Sequence, residues 1–291
     1  MFRFVAIQVK DDGTVAAAGD SDGGGDTPAT MPPIPRDQQT DAGVGVKVAI
    51  SPSASGGLTI HIRTKIETWW SFIEAAVIQV GDQMLEVRGR EEGEEARYWV
   101  NGLEGDENVA NDTNLAVMQD ALANNLKGFK IIHKKVSKKQ QAFRINLNNQ
   151  GDSVSIRTFK DWVSVNLHVN PKAHNFDGVS GGMMGAYPSG AMLMRNGATI
   201  ASDPNEFGNE WQVRADEPML FHDRAGPQHL EKCIMPTAEK TSEERQRGRL
   251  GETLITEDDA ELACARVSPN SFKQCVFDVL ATNDKDMAGA Y

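Results

Sequence analysis

Ala142-Phe143-Arg144-Ile145-Asn146-Leu147, Ser153-Val154-Ser155-Ile156-Arg157 and Trp162-Val163-Ser164-Val165-Asn166-Leu167-His168-Val169 place an apolar residue at every second position. That period marks strands with one buried face. The same alternation runs through Leu58-Thr59-Ile60-His61-Ile62-Arg63, Ala76-Val77-Ile78-Gln79-Val80, Met84-Leu85-Glu86-Val87, Tyr98-Trp99-Val100 and Lys130-Ile131-Ile132-His133. Gly-Asp, Asn-Gly and Asn-rich turns separate these runs, so the fold class is mainly β, an antiparallel meander packed as a sandwich or open barrel. Leu115 to Leu126 breaks the pattern, with apolar residues at 115, 118, 122 and 126 that predict one short helix.

Outside this block the texture changes twice. Residues 1–45 read as a low-complexity, disordered segment, because Asp11 to Thr40 is mostly Gly, Asp, Ala, Thr and Pro with little to bury. Val46-Lys47-Val48-Ala49-Ile50 opens the β domain, which extends to residue 232. Residues 233–255 form an exposed connector that contains Arg245-Gln246-Arg247-Gly248-Arg249. Residues 256–291 read as a helical hairpin. Thr256 caps its first helix with Glu257, Asp258 and Asp259 in the first turn; Ser268-Pro269 ends that helix, and Ser268 or Asn270 caps the second.

With 291 residues the chain is long enough to bury a core without metals or many disulfides. Its net charge of −11 sets up a field that argues against nucleic acid and anionic lipid surfaces as partners. The one basic run, Lys134-Lys135-Val136-Ser137-Lys138-Lys139, holds no aromatic that could stack a base and reads as a solvated hairpin tip. No stretch approaches the roughly 20 apolar residues of a membrane helix, and the opening ten residues lack the cleavage signature of a signal peptide.

Downstream of the strands, Val179-Ser180-Gly181-Gly182-Met183-Met184-Gly185-Ala186-Tyr187-Pro188 is followed by Asn205-Glu206-Phe207-Gly208-Asn209-Glu210-Trp211. Over these stretches the chain resembles a von Willebrand factor type D domain. Gly182, Gly185 and Tyr187 match its glycine element, and Glu206, Phe207, Gly208 and Trp211 match its later Glu-Phe-Gly-x-x-Trp element. The tail around Cys264 and Cys275 is similar to the cysteine-containing helical segment that follows such domains, so the resemblance spans roughly residues 58–291. The family's opening Gly-Asp-Pro-His strand does not occur here, which predicts a truncated or mispredicted start. The cysteine of the glycine element is replaced by Met183 or Met184.

The resemblance implies a non-catalytic extracellular or cell-surface structural or adhesion module acting through protein or matrix contacts, as monomer or oligomer. It also implies calcium at Asp177, Asn196, Asp203 and Asn205, which a hard cation would require as oxygen ligands. Against this stands the reading of those residues as turn formers that bond their own backbone, which the absence of a denser Asp-Asp run favours. Three cysteines, Cys233, Cys264 and Cys275, leave an odd thiol, with a Cys264–Cys275 or a Cys233-linked disulfide open. Asn111-Asp112-Thr113 is a glycosylation sequon in a secreted chain. The competing functions are a hydrolase using Asp177 with His174 or His168, and a lipid-associated module with an apolar cavity.

Overall fold

A computed structural model describes residues 7–9, 15–17, 43–48, 58–67, 70–89, 97–105, 112–137, 140–168, 182, 191–202, 206–207, 210–213, 217–223 and 254–291. Among these the chain is mainly β. A hairpin pairs β1 (Ile7–Val9) with β2 (Val15–Ala17). A six-stranded antiparallel meander follows in chain order: β3 (Gly43–Val48), β4 (Leu58–Glu67), β5 (Trp70–Val80), β6 (Gln83–Arg88), β7 (Arg97–Val100) and β8 (Leu103–Glu104). After helix α1 (Thr113–Ala123), a four-stranded meander runs through β9 (Lys130–Ser137), β10 (Gln140–Asn146), β11 (Ser153–Phe159) and β12 (Trp162–His168).

The alternation in the sequence explains how the two sheets meet. Phe143, Ile145, Val154, Ile156, Val163, Val165 and Leu167 project from one face of the four-stranded sheet into a core shared with Ile60, Ile62, Ala76, Ile78, Leu85 and Val87 of the larger sheet. Such side chains each contribute about 1.5–3 kcal/mol when fully buried, so this layer is the main source of stability. β12 lies against β5 and β6, while α1 closes one end by burying Leu115, Met118 and Leu122.

Two strand limits differ from the sequence reading. Within the segment read as low-complexity, the short β1–β2 pair forms, and β3 begins at Gly43 rather than Val46. Three-residue strands are shorter than a compositional window resolves. β9 also continues through Lys134, Lys135, Val136 and Ser137, so four of the six residues of the basic run are strand rather than hairpin tip.

The tail folds as expected into a hairpin of α2 (Glu257–Cys264) and α3 (Pro269–Thr282), with a 3-10 turn at Lys285–Ala290. Thr256 Oγ1 accepts from the Asp259 amide, as its N-cap position predicts. Pro269 does not terminate α2, whose last residue is Cys264; it occupies the first turn of α3, where a missing N–H costs nothing. The hairpin packs Val279, Met287 and its neighbours against Phe159 and Trp162 at the β11–β12 turn. Trp162 in turn stacks on Phe72 of β5 at 5.2 Å.

One buried polar link ties helix to sheet. Tyr98, fully buried beside Phe143, donates to Asp112 Oδ2 at 2.5 Å, while Asp112 Oδ1 caps α1 through the Asn114 and Leu115 amides. Gly105 lies so close that an added Cβ would sit 1.9 Å from the Tyr98 ring, so no larger residue fits there without displacing it. Asp112→Ala removes the cap and the hydrogen bond from the buried Tyr98 hydroxyl, and we expect a loss of about 2–4 kcal/mol, read as a lower urea midpoint at unchanged slope.

Candidate functional site

Three polar constellations stand out as candidate sites: the oxygen-rich stretch before Glu206, the late aromatic motif, and a charged cluster on the outer face of the six-stranded sheet. Of the calcium set, Asn196 lies within the described residues and Asp177, Asp203 and Asn205 lie outside them. Asn196 is exposed, and its Oδ1 accepts from the Ala198 and Thr199 amides at 3.0 and 2.9 Å. An amide oxygen has two lone pairs, and both are engaged here, which is the turn-forming use. Among the described residues no group of three or more His, Cys, Asp or Glu side chains could hold a metal.

The late motif does come together. Phe207 and Trp211 are buried and join the inter-sheet core along with Ala201, and half-buried Met192 and Met194 pack against that core. Trp211 Nε1 donates to the Leu193 carbonyl at 3.1 Å. Arg195 lies over the Trp211 ring, donates to the Glu210 and Gln212 carbonyls and pairs with Glu217, so one guanidinium fastens residues 210–212 and Glu217 to the strand-like stretch 191–194. Glu206 is exposed, and Gly182 adopts a φ of 132°, a backbone geometry that only glycine enters without strain. Gly185, Tyr187, Gly208, Cys233 and the sequon residue Asn111 lie outside the described residues.

The charged cluster is the most connected polar site described. Register places His61, Val77, Glu86 and Trp99 in one cross-strand row and Arg63, Ala75, Arg88 and Arg97 in the next, all on the face turned away from the four-stranded sheet. Residues 219–223 lie across this face, packing Leu220 and Phe221 on Ala75 and Val77. The small side chain of Ala75 leaves room for Arg63 and Arg88 to converge on Asp223. Arg63 pairs with both carboxylate oxygens at 3.2 and 3.0 Å, and Arg88 reaches Oδ2 at 2.5 Å. Arg88 Nε also donates to Glu86 Oε1 at 2.8 Å. Glu86 Oε2 accepts from the His222 amide and bonds its Nδ1 at 3.0 Å.

Aromatic rings complete the enclosure. Arg63 lies 4.2 Å above Phe221, Arg88 lies 5.0 Å above Trp99, and His222 stacks on Trp99 at 4.3 Å. Burial opposes ionisation of Asp223, but the hydrogen bonds and charges of Arg63 and Arg88 outweigh it and hold the carboxyl well below its ordinary range. Burial likewise opposes the Arg88 charge, and Asp223 and Glu86 raise its pKa despite it. The two guanidiniums balance the two carboxylates of Asp223 and Glu86.

Chemically, Glu86 orients the His222 ring as a carboxylate orients a general base, with Nε2 pointing elsewhere. Among the described residues no hydroxyl or thiol is hydrogen-bonded to that nitrogen. The proposed partners His174 and Asp177 lie outside the described residues, and His168 stands at the end of β12. His61, His133, His168 and His222 occupy four separate elements, with His133 stacked on Phe143 inside the sandwich. No helix among the described residues is long and apolar enough to cross a membrane.

The sequence reading missed the cluster entirely. Arg63 and Glu86 occupy the polar phase of alternating strands, which ordinarily faces water, and only the cover supplied by residues 219–223 buries them. The available signal was Pro218-Met219-Leu220-Phe221, an apolar run inside an otherwise polar stretch. The chain matches no protein-family model and no curated protein.

Asp223→Ala should cost about 1–3 kcal/mol, below the range for fully buried pairs because the Asp223 side chain is 25% exposed. Hydrogen exchange should quicken at the 219–222 amides while the β10–β12 amides stay protected. The acid dependence has a definite sign. A depressed native pKa gives Asp223 a stabilising contribution that is complete above its ordinary value of 3.8 and declines as pH falls below it. The wild-type melting temperature should therefore fall more steeply than that of the variant between about pH 4 and pH 2.

Proposed function

We propose that this chain is a non-catalytic structural or adhesion module of extracellular or cell-surface type, with a β region built as a von Willebrand factor type D domain. The observation that carries the reading is the Cys264–Cys275 disulfide between α2 and α3, with Cα atoms 5.9 Å apart and both residues fully buried. Disulfides persist mainly in oxidising compartments. A bridge packed among Ala260, Val279 and Met287 belongs to the core of the hairpin rather than to an exposed redox site.

Two further features support it. Phe207 and Trp211, the aromatic members of the type D resemblance, serve as core residues that anchor the late segment. The strongest charged cluster serves to hold residues 219–223 on the sheet, with each carboxylate matched by a guanidinium. Calcium enters this reading through Asp177, Asp203 and Asn205, since Asn196 spends its amide oxygen on its own turn.

Surface labelling and fractionation of the native protein test the proposal, together with non-reducing peptide mapping. We expect recovery at the cell surface or in the medium with Cys264 joined to Cys275. A protein confined to the cytosol with both thiols open to alkylation would overturn it. Calcium titration followed by melting temperature tests the metal separately, because a ligand of the folded form alone must raise apparent stability. A saturable rise at millimolar calcium, abolished by Asp203→Ala with Asn205→Ala, keeps calcium in the reading, and no rise removes it.

A further inference from the structure

The four-stranded sheet has a second face, turned away from the core. Register aligns Lys130 with Asn146 and Ser153, Ile132 with Arg144, Ser155 and Asn166, and Lys134 with Ala142, Arg157 and Ser164. Lys130, Lys134, Arg144 and Arg157 are all exposed, and none forms an ion pair among the described residues. No Asp or Glu occupies any position of this face on β9 to β12. In a chain of net charge −11 this is a segregated cationic surface.

Its layout is regular. Diagonal neighbours on adjacent strands stand roughly 7–8 Å apart, so Arg144 has Lys130, Lys134 and Arg157 each one diagonal step away. The positions around them carry Asn146, Ser153 and Ser155 together with Ile132 and Ala142, and Ser164 and Asn166 continue the polar rows onto β12. Apolar exposure on β9 is confined to Ile132 at 43% and Val136 at 49%. Counterions screen charges beyond about 8 Å at physiological ionic strength, so the distant acids do not cancel this local field.

The geometry points to this face as a binding surface for a sulfated polysaccharide, which lies across β9, β10 and β11 with its anionic groups on Lys130, Lys134, Arg144 and Arg157. A protein partner would use aromatic anchors buried at the centre of its footprint, and the centre here is Arg144, flanked by Ser155, Asn146, Ala142 and Ile132, with no aromatic beside it. Single-stranded nucleic acid binds through base stacking on exposed aromatics, and the only ring in the three cationic rows is His168, half-buried at the β12 edge beyond the basic side chains. The basic side chains lie on β9, β10 and β11, away from β12, which the β1–β2 hairpin contacts, and an exposed row of charge and hydroxyl groups suits a linear, highly hydrated polymer. This inference rests on the extracellular reading above and names its matrix partner by chemistry.

Heparin is the probe. The purified full chain is applied to immobilised heparin at neutral pH and low salt, then titrated in solution alongside a variant carrying Lys134→Gln, Arg144→Gln and Arg157→Gln. A control with Arg97→Gln, Arg266→Gln and Lys273→Gln has the same net charge but leaves the face intact. We expect salt-sensitive retention of the wild type, an affinity loss of about tenfold or more for the face variant, and near wild-type binding by the control. Passage of the wild type through the column overturns the proposal, as does an equal loss in both variants. Tighter binding to polyglutamate or single-stranded DNA than to heparin would also overturn it, in favour of an acidic protein or nucleic acid. Because binding is measured on purified chain, a cytosolic location would remove the extracellular reading without altering this result.

Discussion

A sheet that is covered on both faces has to satisfy whatever charge it carries into the second interface, and here that constraint falls on Arg63. β4 to β7 bury one face against the four-stranded sheet and part of the other beneath residues 219–223. Arg63 is only 6% exposed, so its guanidinium would be costly to leave without an anion. Asp223 supplies both carboxylate oxygens, and the register that puts Ala75 between Arg63 and Arg88 lets a single carboxylate serve two cations. Residues 217–223 are therefore fixed at both ends. Arg195 holds their beginning through Glu217, and the Arg63–Asp223–Arg88 group holds their end. Between them the backbone has little choice but to cross the outer face.

The same logic extends to the tail. Packing of Phe159 and Trp162 into the α2–α3 hairpin, stacking of Trp162 on Phe72, and the pairing of Lys160 with Asp284 all converge on the β11–β12 turn. The disulfide shortens the hairpin's unfolded loop, while the turn orients the hairpin against the sandwich. Reduction would thus loosen α2 from α3 without removing the aromatic contacts made by α3 to the sheets. Covalent and packing constraints act on different parts of the same unit.

Legibility followed the physical origin of each feature. The strands over Gln140–Asn146, Ser153–Phe159 and Trp162–His168 match the alternating runs closely, because burial of one face imposes period two on the sequence itself. The α1 stripe and the Thr256 cap were legible for the same local reason. Arg63, Glu86 and Asp223 were not, because residues 160 positions apart meet only after the second interface forms. Pro269 illustrates a smaller ambiguity. Proline ends one helix and begins the next with equal ease, and only the position of Cys264 in α2 decides between them.

Charge segregation is a further case in which local reading and assembled structure diverge. Along the chain, Lys134-Lys135 looks like one basic run, while Arg144 and Arg157 are isolated residues in otherwise neutral strands. The antiparallel register converts sequence distances of 10 and 13 residues into neighbouring diagonals on one face. Inner and outer positions then follow opposite rules. The inner phase takes Phe143, Ile145, Val154 and Ile156 because it must exclude water, and the outer phase is free to carry any polar residue. In a chain with more acids than bases, a random draw of outer residues would place carboxylates among these rows. Their absence from all four strands, beside a larger sheet whose Glu86 and Glu104 pair with Arg88 and Arg97, sets this face apart electrostatically among the described residues.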